Sequence, residues 1–302
     1  MAPDYHHIAY LGVDIANPVT IEAVLAMADR SGLPAGAKVL DIGAGTGGVS
    51  AALARRFRYQ VHAIERDPVM VSHIADRVER DGLADRVTLV RGVAPQALDV
   101  LAPADMMVAL GSSRIGGSDV TTAAGMFQVL ADLLASPGYI LWGDLTWIAT
   151  PPEPLRQIVS LSSIYESDDG WKAAAEAAGM TCVSAELSPQ AVWDDFFGTA
   201  DRRVRDWLEA NPGVEGRESL QARADQIRAT FDFGRPYLGF GLYLFRKPRP
   251  VRYRPQRGPD AAERRGWPAP CRGPREGDSS SHSGRPVCRF PSGRFRRAIP
   301  PT

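Results

Sequence analysis

The stretch Val39-Leu-Asp-Ile-Gly-Ala-Gly-Thr-Gly-Gly constrains this chain more than any other. Lys38-Val-Leu-Asp-Ile reads as a short buried strand, and 46–57, with Val49, Ala52, Leu53 and Phe57 on one face, reads as a helix. The glycines between them permit positive φ and a close approach of backbone to a ligand. A helix that starts there offers unpaired N–H groups to an electronegative partner. Glu65 stands 22 positions after Gly43, at the end of the next apolar run, where a carboxylate can accept both hydroxyls of a ribose. The arrangement suits any adenosine-containing ligand.

The same alternation continues along the chain. A helix is expected over 17–31, capped by Asn17 or Thr20, with Ile21, Val24 and Leu25 on one face. Strands are expected at 60–64, 86–90, 105–110 and 139–144, with helices over about 68–81 and 119–135 between them. Strands separated by helices imply right-handed crossovers and a mostly parallel sheet covered on both faces. After a helix at about 169–178, the runs Met180 to Leu187 and Leu238 to Phe245 read as two more strands. Between those two, Val192/Phe196/Phe197, Val204/Trp207/Leu208 and Leu220/Ala224/Ile227/Phe231 recur at helical spacing, so 188–235 reads as a helical lid. The expected division is an N-terminal cap region at 1–34, an α/β domain at 35–248, and a tail at 249–302.

That tail is rich in Arg, Pro, Gly and Ser and lacks the apolar periodicity of a packed segment, so it reads as disordered. It also carries most of the positive charge. Residues 247–302 hold 14 Lys and Arg against 4 Asp and Glu, leaving 21 basic and 31 acidic residues in 1–246. An acidic body is a poor partner for nucleic acid or anionic membrane, which need clustered positive charge. No apolar run approaches the ~18–20 residues of a membrane helix, and no secretory leader is visible. Three scattered cysteines (Cys182, Cys271, Cys288) suit neither a disulfide framework nor a zinc site. A cytoplasmic protein without metal is the expectation.

Gly43, Gly45 and Gly48 also match the dinucleotide pattern GxGxxG. Asp41, two residues before the first glycine, argues against a pyrophosphate there. A carboxylate complements the ammonium and sulfonium of S-adenosylmethionine instead. With these residues in view, Val39 to Gly48 resembles the glycine-rich first motif of class I S-adenosylmethionine-dependent methyltransferases, and Ala63-Ile-Glu-Arg-Asp their second-strand motif. The likeness extends over about 8–247 and is similar to a bacterial branch acting on small molecules. It implies an α/β doubly wound seven-stranded sheet ordered 3-2-1-4-5-7-6 with an antiparallel last strand. It implies that Asp41, Gly43 and Gly45 line the methionine end of the cofactor, that Glu65 serves the ribose, that Gly92, Val93 and Ala94 frame the adenine, and that Arg66 is among the cofactor-binding residues. Gly111 would complete the cofactor rim. Val93 departs from the pattern, standing where an Asp commonly accepts the adenine amino group. Arg114 departs too, in a place where His is frequent.

Methyl transfer needs alignment above all, and a base only where the acceptor's proton must leave early. The candidates for that base are His6, His7 and Asp144, each with a bland alternative as an exposed residue or a turn cap. Arg114, as a clamp for an acidic group, and Trp147, as part of an aromatic lid, are the candidates for acceptor binding. Two rivals remain open: a nicotinamide-dependent oxidoreductase, which calls for a Ser/Tyr/Lys relay and leaves Asp41 unexplained, and a binding module that has lost catalysis.

Overall fold

A computed structural model describes residues 4–112, 115, 117, 119–160 and 164–249. Arg114 and all of the expected tail beyond Arg249 lie outside the described residues. Strands β1 (Lys38–Ile42), β2 (Gln60–Glu65), β3 (Val87–Arg91), β4 (Ala104–Leu110) and β5 (Leu134–Trp147) pair in parallel, in the order β3-β2-β1-β4-β5. Two later strands, β7 (Thr181–Leu187) and β8 (Leu238–Lys247), extend the sheet as β5-β8-β7, with β8 antiparallel to both neighbours. Apart from the two-residue β6 (Glu166–Ser167) beside β5, this is the expected 3-2-1-4-5-7-6 order.

Period-two alternation builds two cores from one sheet. Val39, Val61 and Val108 face one layer with Val24 and Met27 of α2 (Ile21–Asp29) and Leu53 of α3 (Gly48–Phe57). Leu40, Ile42 and Ile64 face the other, with Phe127 of α6 (Ala123–Leu133) and Trp171 of α8 (Asp168–Ala177). Phe127, Trp142 and Trp171 meet there at centroid distances of 5.3 to 6.2 Å. Such contacts add about 0.5–1.5 kcal/mol each beyond the buried area.

Several elements depart from the sequence expectation. The first core helix is only α2, because Thr20 rather than Asn17 caps it, accepting from Ala23 N at 3.2 Å. Asn17 is drawn away to donate to the Leu110 carbonyl at 3.1 Å. The helix expected over 119–135 is the shorter α6, since Thr122 caps it and residues from Leu134 onward already pair in β5. Four elements carried too little periodicity to be anticipated: α1 (Tyr5–Tyr10), α5 (Ala94–Leu101), α7 (Glu153–Ser160) and β6.

The expected helical insertion consists of α9 (Gln190–Ala210) and α10 (Arg217–Gly234). Its apolar stripe, Ala200, Val204, Leu208, Leu220 and Ala224, closes over Tyr5 and Ala9 of α1, forming a third small core. Arg203 seals this junction by donating to the carbonyls of Ala9 and Leu11 at 3.2 and 3.3 Å. Among the described residues, no helix is long and apolar enough to cross a membrane.

Candidate active site

The C-terminal ends of β1, β2, β3 and β4 surround a cavity of about 760 Å³. Open parallel sheets bind ligands at this edge, where the connections diverge. Each strand delivers one turn to the rim. After β1, Gly43 adopts φ +72°, and both Gly43 N–H and Ala44 N–H donate to the Ile64 carbonyl at 3.0 Å. A side chain at Gly43 would strike the Ser112 hydroxyl, which itself donates to the Ile42 carbonyl at 3.1 Å. Gly48 is needed for a different reason: a Cβ there would overlap the Asp14 carbonyl of the incoming N-terminal segment. The third glycine of the motif thus admits the chain's own backbone.

Glu65 ends β2 almost fully buried, at 9% exposure. Its Oε1 accepts the N–H groups of Arg66 and Asp67 at 2.8 and 2.9 Å, and its Oε2 accepts Gly45 N–H at 2.9 Å. A carboxylate offers about four acceptor positions, so roughly one is left for a ligand hydroxyl rather than the two expected. Gly92 follows β3, and Val93 is the N-cap residue of α5 without a side-chain cap. Gly111 follows β4 at φ +68°, donating to the Gly143 carbonyl at 2.7 Å, with the Asn17 amide packed against it.

The structure brings Gly43, Glu65, Arg66, Gly92, Val93, Ala94 and Gly111 together on this cavity, and His6 joins them from α1. It does not bring all the candidates there. Asp41 shares the Val39 face of β1 and points into the layer under α3, where Ser50 Oγ donates to it at 2.6 Å. Burial pushes its carboxyl up to about 6, against the opposing pull of the Ser50 hydroxyl. It does not line the cavity, which corrects the expectation of a carboxylate facing the ligand. Gly45 is absent from the lining as well, its N–H being spent on Glu65.

His7 turns the other way from His6. Its Nε2–H donates to Asp67 Oδ2 at 2.8 Å, while Asp67 Oδ1 caps α4 (Pro68–Arg80) at Val69 N–H and Met70 N–H. His6 is bound through Nδ1 to Asp4 at 3.0 Å. Asp144 lies on the Ile140 and Trp142 face of β5 at 4% exposure, inside the helix-covered layer. Leu145 N–H donates to its Oδ1 at 2.7 Å, whereas its Oδ2 has no partner among the described residues. Burial raises it to about 7. Trp147 borders a separate cleft of about 750 Å³ that shares Tyr165 with the first cavity, the two rings meeting edge to face at 6.2 Å.

Sequence reasoning did not single out Ser112, Ile115, Pro95 or Gln96, all of which line the cavity; Tyr165, which it counted only among the aromatic residues of the second half, lines it too. Ser112 and Ile115 stand one and four positions after Gly111. Tyr165 arrives from the α7–β6 connection and has no local signal. The spacing Tyr-x-x-x-Lys occurs once, at Tyr243 and Lys247. Both lie on β8, where Tyr243 is buried and Lys247 Nζ donates to the Leu134 carbonyl at 3.0 Å. About 13 Å of extended chain separates residues four apart on a strand, so the pair forms no proton relay.

Residues 39–138 match the family model described as a methyltransferase domain. The chain is 27% identical to a Geobacter sulfurreducens S-adenosylmethionine-dependent methyltransferase crystallised with S-adenosyl-L-homocysteine, covering 98% of it and 81% of the present chain at a TM-score of 0.70. It is 26% identical over 238 residues to the uncharacterized protein YjhP of Escherichia coli, covering 92% of that protein and 76% of this chain. A probable cobalt-precorrin-6B C(15)-methyltransferase (decarboxylating) of Pyrobaculum calidifontis is 38% identical over 156 residues, 75% of its length and 51% of this chain. The chain belongs to the class I S-adenosylmethionine-dependent methyltransferases.

This methyltransferase therefore uses S-adenosylmethionine as its methyl donor. The cavity suits that cofactor on its own terms. A buried carboxylate stands ready for a hydroxyl at Glu65, and at Gly92 an added Cβ would meet nothing within 4 Å, leaving open space beside the backbone. Val93, Ile64 and Ile115 supply apolar surface for a flat ring. Among the described residues no group of three or more His, Cys, Asp and Glu is placed to hold a metal ion.

Proposed function

We propose that this methyltransferase acts on a small molecule, by in-line displacement at the methyl carbon. Bound S-adenosylmethionine supplies a methyl group already activated by positive sulfur. The chain's own residues then have one principal task, which is to hold donor and acceptor about 3–3.5 Å apart in line and to exclude water. The observation that carries the reading is the pinned helix at the rim of the cavity. α1 brings His6 onto the cofactor side, while α9 and α10 hold α1 down through the Tyr5 and Ala9 contacts. A rim narrowed by a pinned helix favours a compact acceptor over a folded protein or a duplex.

In this reading Glu65 holds a ribose hydroxyl, Arg66, Gly92, Val93 and Ala94 border the adenine, and Gly43 and Gly111 leave room for the methionine end. Asp41 serves indirectly, by fixing Ser50 and the start of α3. His6 is the base candidate that reaches the cavity; His7 positions α1 instead. Asp144 at 4% exposure is ill placed to take a proton, and Trp147 and Arg114 remain candidates for the acceptor side.

The test is calorimetric titration of the full chain with S-adenosylhomocysteine, for wild type and Glu65→Ala, followed by a screen of small acceptors with methyl-labelled donor. Micromolar binding that weakens at least tenfold in the variant, with label transferred to a small acceptor, is the expected result. Label carried only by protein or nucleic acid would overturn the reading.

A further inference from the structure

A second cavity, of about 430 Å³, lies between the segment after α1 and the first half of α9. It shares two structural parts with the cofactor cavity. The helix α1 contributes His6 to one and its last residue, Tyr10, to the other. Asn17 lines the second cavity and packs its amide against Gly111, which lines the first. The Asn17 side chain is thus the point at which the two linings meet.

The second cavity has a definite chemistry. One wall is Tyr10 stacked on Phe196, with centroids 5.4 Å apart and planes 7° from parallel. Ile15, Ile21 and Val192 add aliphatic surface. Its charged lining consists of Asp14, Glu22 and Asp195, and no Lys, Arg or His lines it. Arg77 already pairs with Asp14 at 2.7 Å. Glu22 and Asp195 have no ion-pair partner among the described residues, so their charge is available to a ligand.

We propose that this cavity is the acceptor site and that it takes a small amine bearing an aromatic or apolar group. The proposal rests on the methyltransferase reading above and adds the acceptor's class. Carboxylates gather the ammonium form by Coulomb attraction, and the aromatic wall favours a cation and a flat ring alike. Before attack the ammonium gives a proton to water at the open rim. The nitrogen lone pair then forms the N–C bond to the methyl carbon as the C–S bond breaks, and sulfur keeps the bonding pair.

The experiment uses the full chain, first titrated with S-adenosylhomocysteine so that a failed cofactor site is recognised independently. The loaded protein is then titrated with phenethylamine and benzylamine, with phenol and benzoate as counter-probes, and each is offered with methyl-labelled donor. Saturable binding and labelling of an amine are expected. The Glu22→Gln/Asp195→Asn double variant should raise the amine KM about tenfold, and Phe196→Ala should raise it too, both leaving S-adenosylhomocysteine affinity within about twofold. Charge and ring effects on KM without change in cofactor affinity are not what a merely destabilised fold would give. The proposal falls if neither amine binds the loaded chain. It also falls if phenol or benzoate is labelled in place of the amines, if the double variant leaves the amine KM unchanged, or if Trp147→Ala removes acceptor binding while Phe196→Ala does not.

Discussion

His7 Nε2 sits 2.8 Å from Asp67 Oδ2, and this contact fastens the N-terminal helix to the strand-two edge of the cofactor cavity. Asp67 is central to three local structures. It accepts His7, caps α4, and donates its own N–H to Glu65 Oε1 at 2.9 Å. Burial pushes its carboxyl upward, but the His7 bond and the two α4 amides outweigh this and hold it below the usual carboxylate range. His7→Ala is expected to weaken S-adenosylhomocysteine binding by up to about tenfold, the worth of one hydrogen bond. His7→Gln, whose amide can still donate to Asp67, should recover most of the loss. Calorimetric titration of the three proteins decides, and equal affinities would show that α1 does not gate the cavity.

Asp144 yields a prediction about pH. Its folded carboxyl is raised to about 7, from an ordinary value of 3.8. Between those values the folded state binds more protons than the unfolded one, so stability falls as pH rises from about 4 through 7. Thermal unfolding should occur at lower temperature at pH 8 than at pH 5. Asp144→Asn should flatten that slope and stabilise the protein at pH 8, by about 2–4 kcal/mol. It should retain methyl transfer, since the residue lies off the cavity. Loss of activity in a stable variant would return Asp144 to the catalytic candidates.

Val93 offers a gain of function. It caps α5 without a side-chain acceptor and is 42% exposed on the cavity. Val93→Asp would supply a helix cap worth about 1 kcal/mol and an acceptor for the adenine amino group worth about 0.5–1.5 kcal/mol. The ligand-free protein should melt higher, and S-adenosylhomocysteine should bind about two- to tenfold more tightly. Stabilisation without tighter binding would mean that the adenine lies elsewhere.

Gly48→Ala tests the packing of the N-terminal segment. The added methyl meets backbone at Asp14, which has no rotamer by which to escape. Overpacking of this kind costs about 1–3 kcal/mol. Urea unfolding should show a matching drop in midpoint with an unchanged slope. A neutral outcome would mean that residues near Asp14 move freely.

The sheet was legible because its signals are local and redundant. Apolar runs of five to seven residues, glycines at 43 and 45 and the acid at 65 each point to the same alternating fold, and so does the strand order that resemblance implied. The cavity was partly legible for the same reason, since Glu65, Gly92 and Gly111 each close a strand. What sequence could not give is side-chain direction after the backbone bends. Asp41 was assigned to the ligand on its charge and on the family resemblance, but alternation along β1 sends it beneath α3 to Ser50. The methyl donor is therefore established by kinship with other methyltransferases, not by that carboxylate. His6 and His7 are neighbours in sequence yet face different partners, because a helical step rotates the second away from the cavity. Tyr165 and Phe196 reach their places only through tertiary packing.

The small core shared by Tyr5, Ala9, Val204 and Leu220 spans the chain from near its start to beyond its two-hundredth residue. During synthesis the glycine turn emerges long before α10 does, so the nucleoside pocket exists for a time without anything to pin its roof. Durable retention of the donor is in this sense a property of the completed polypeptide.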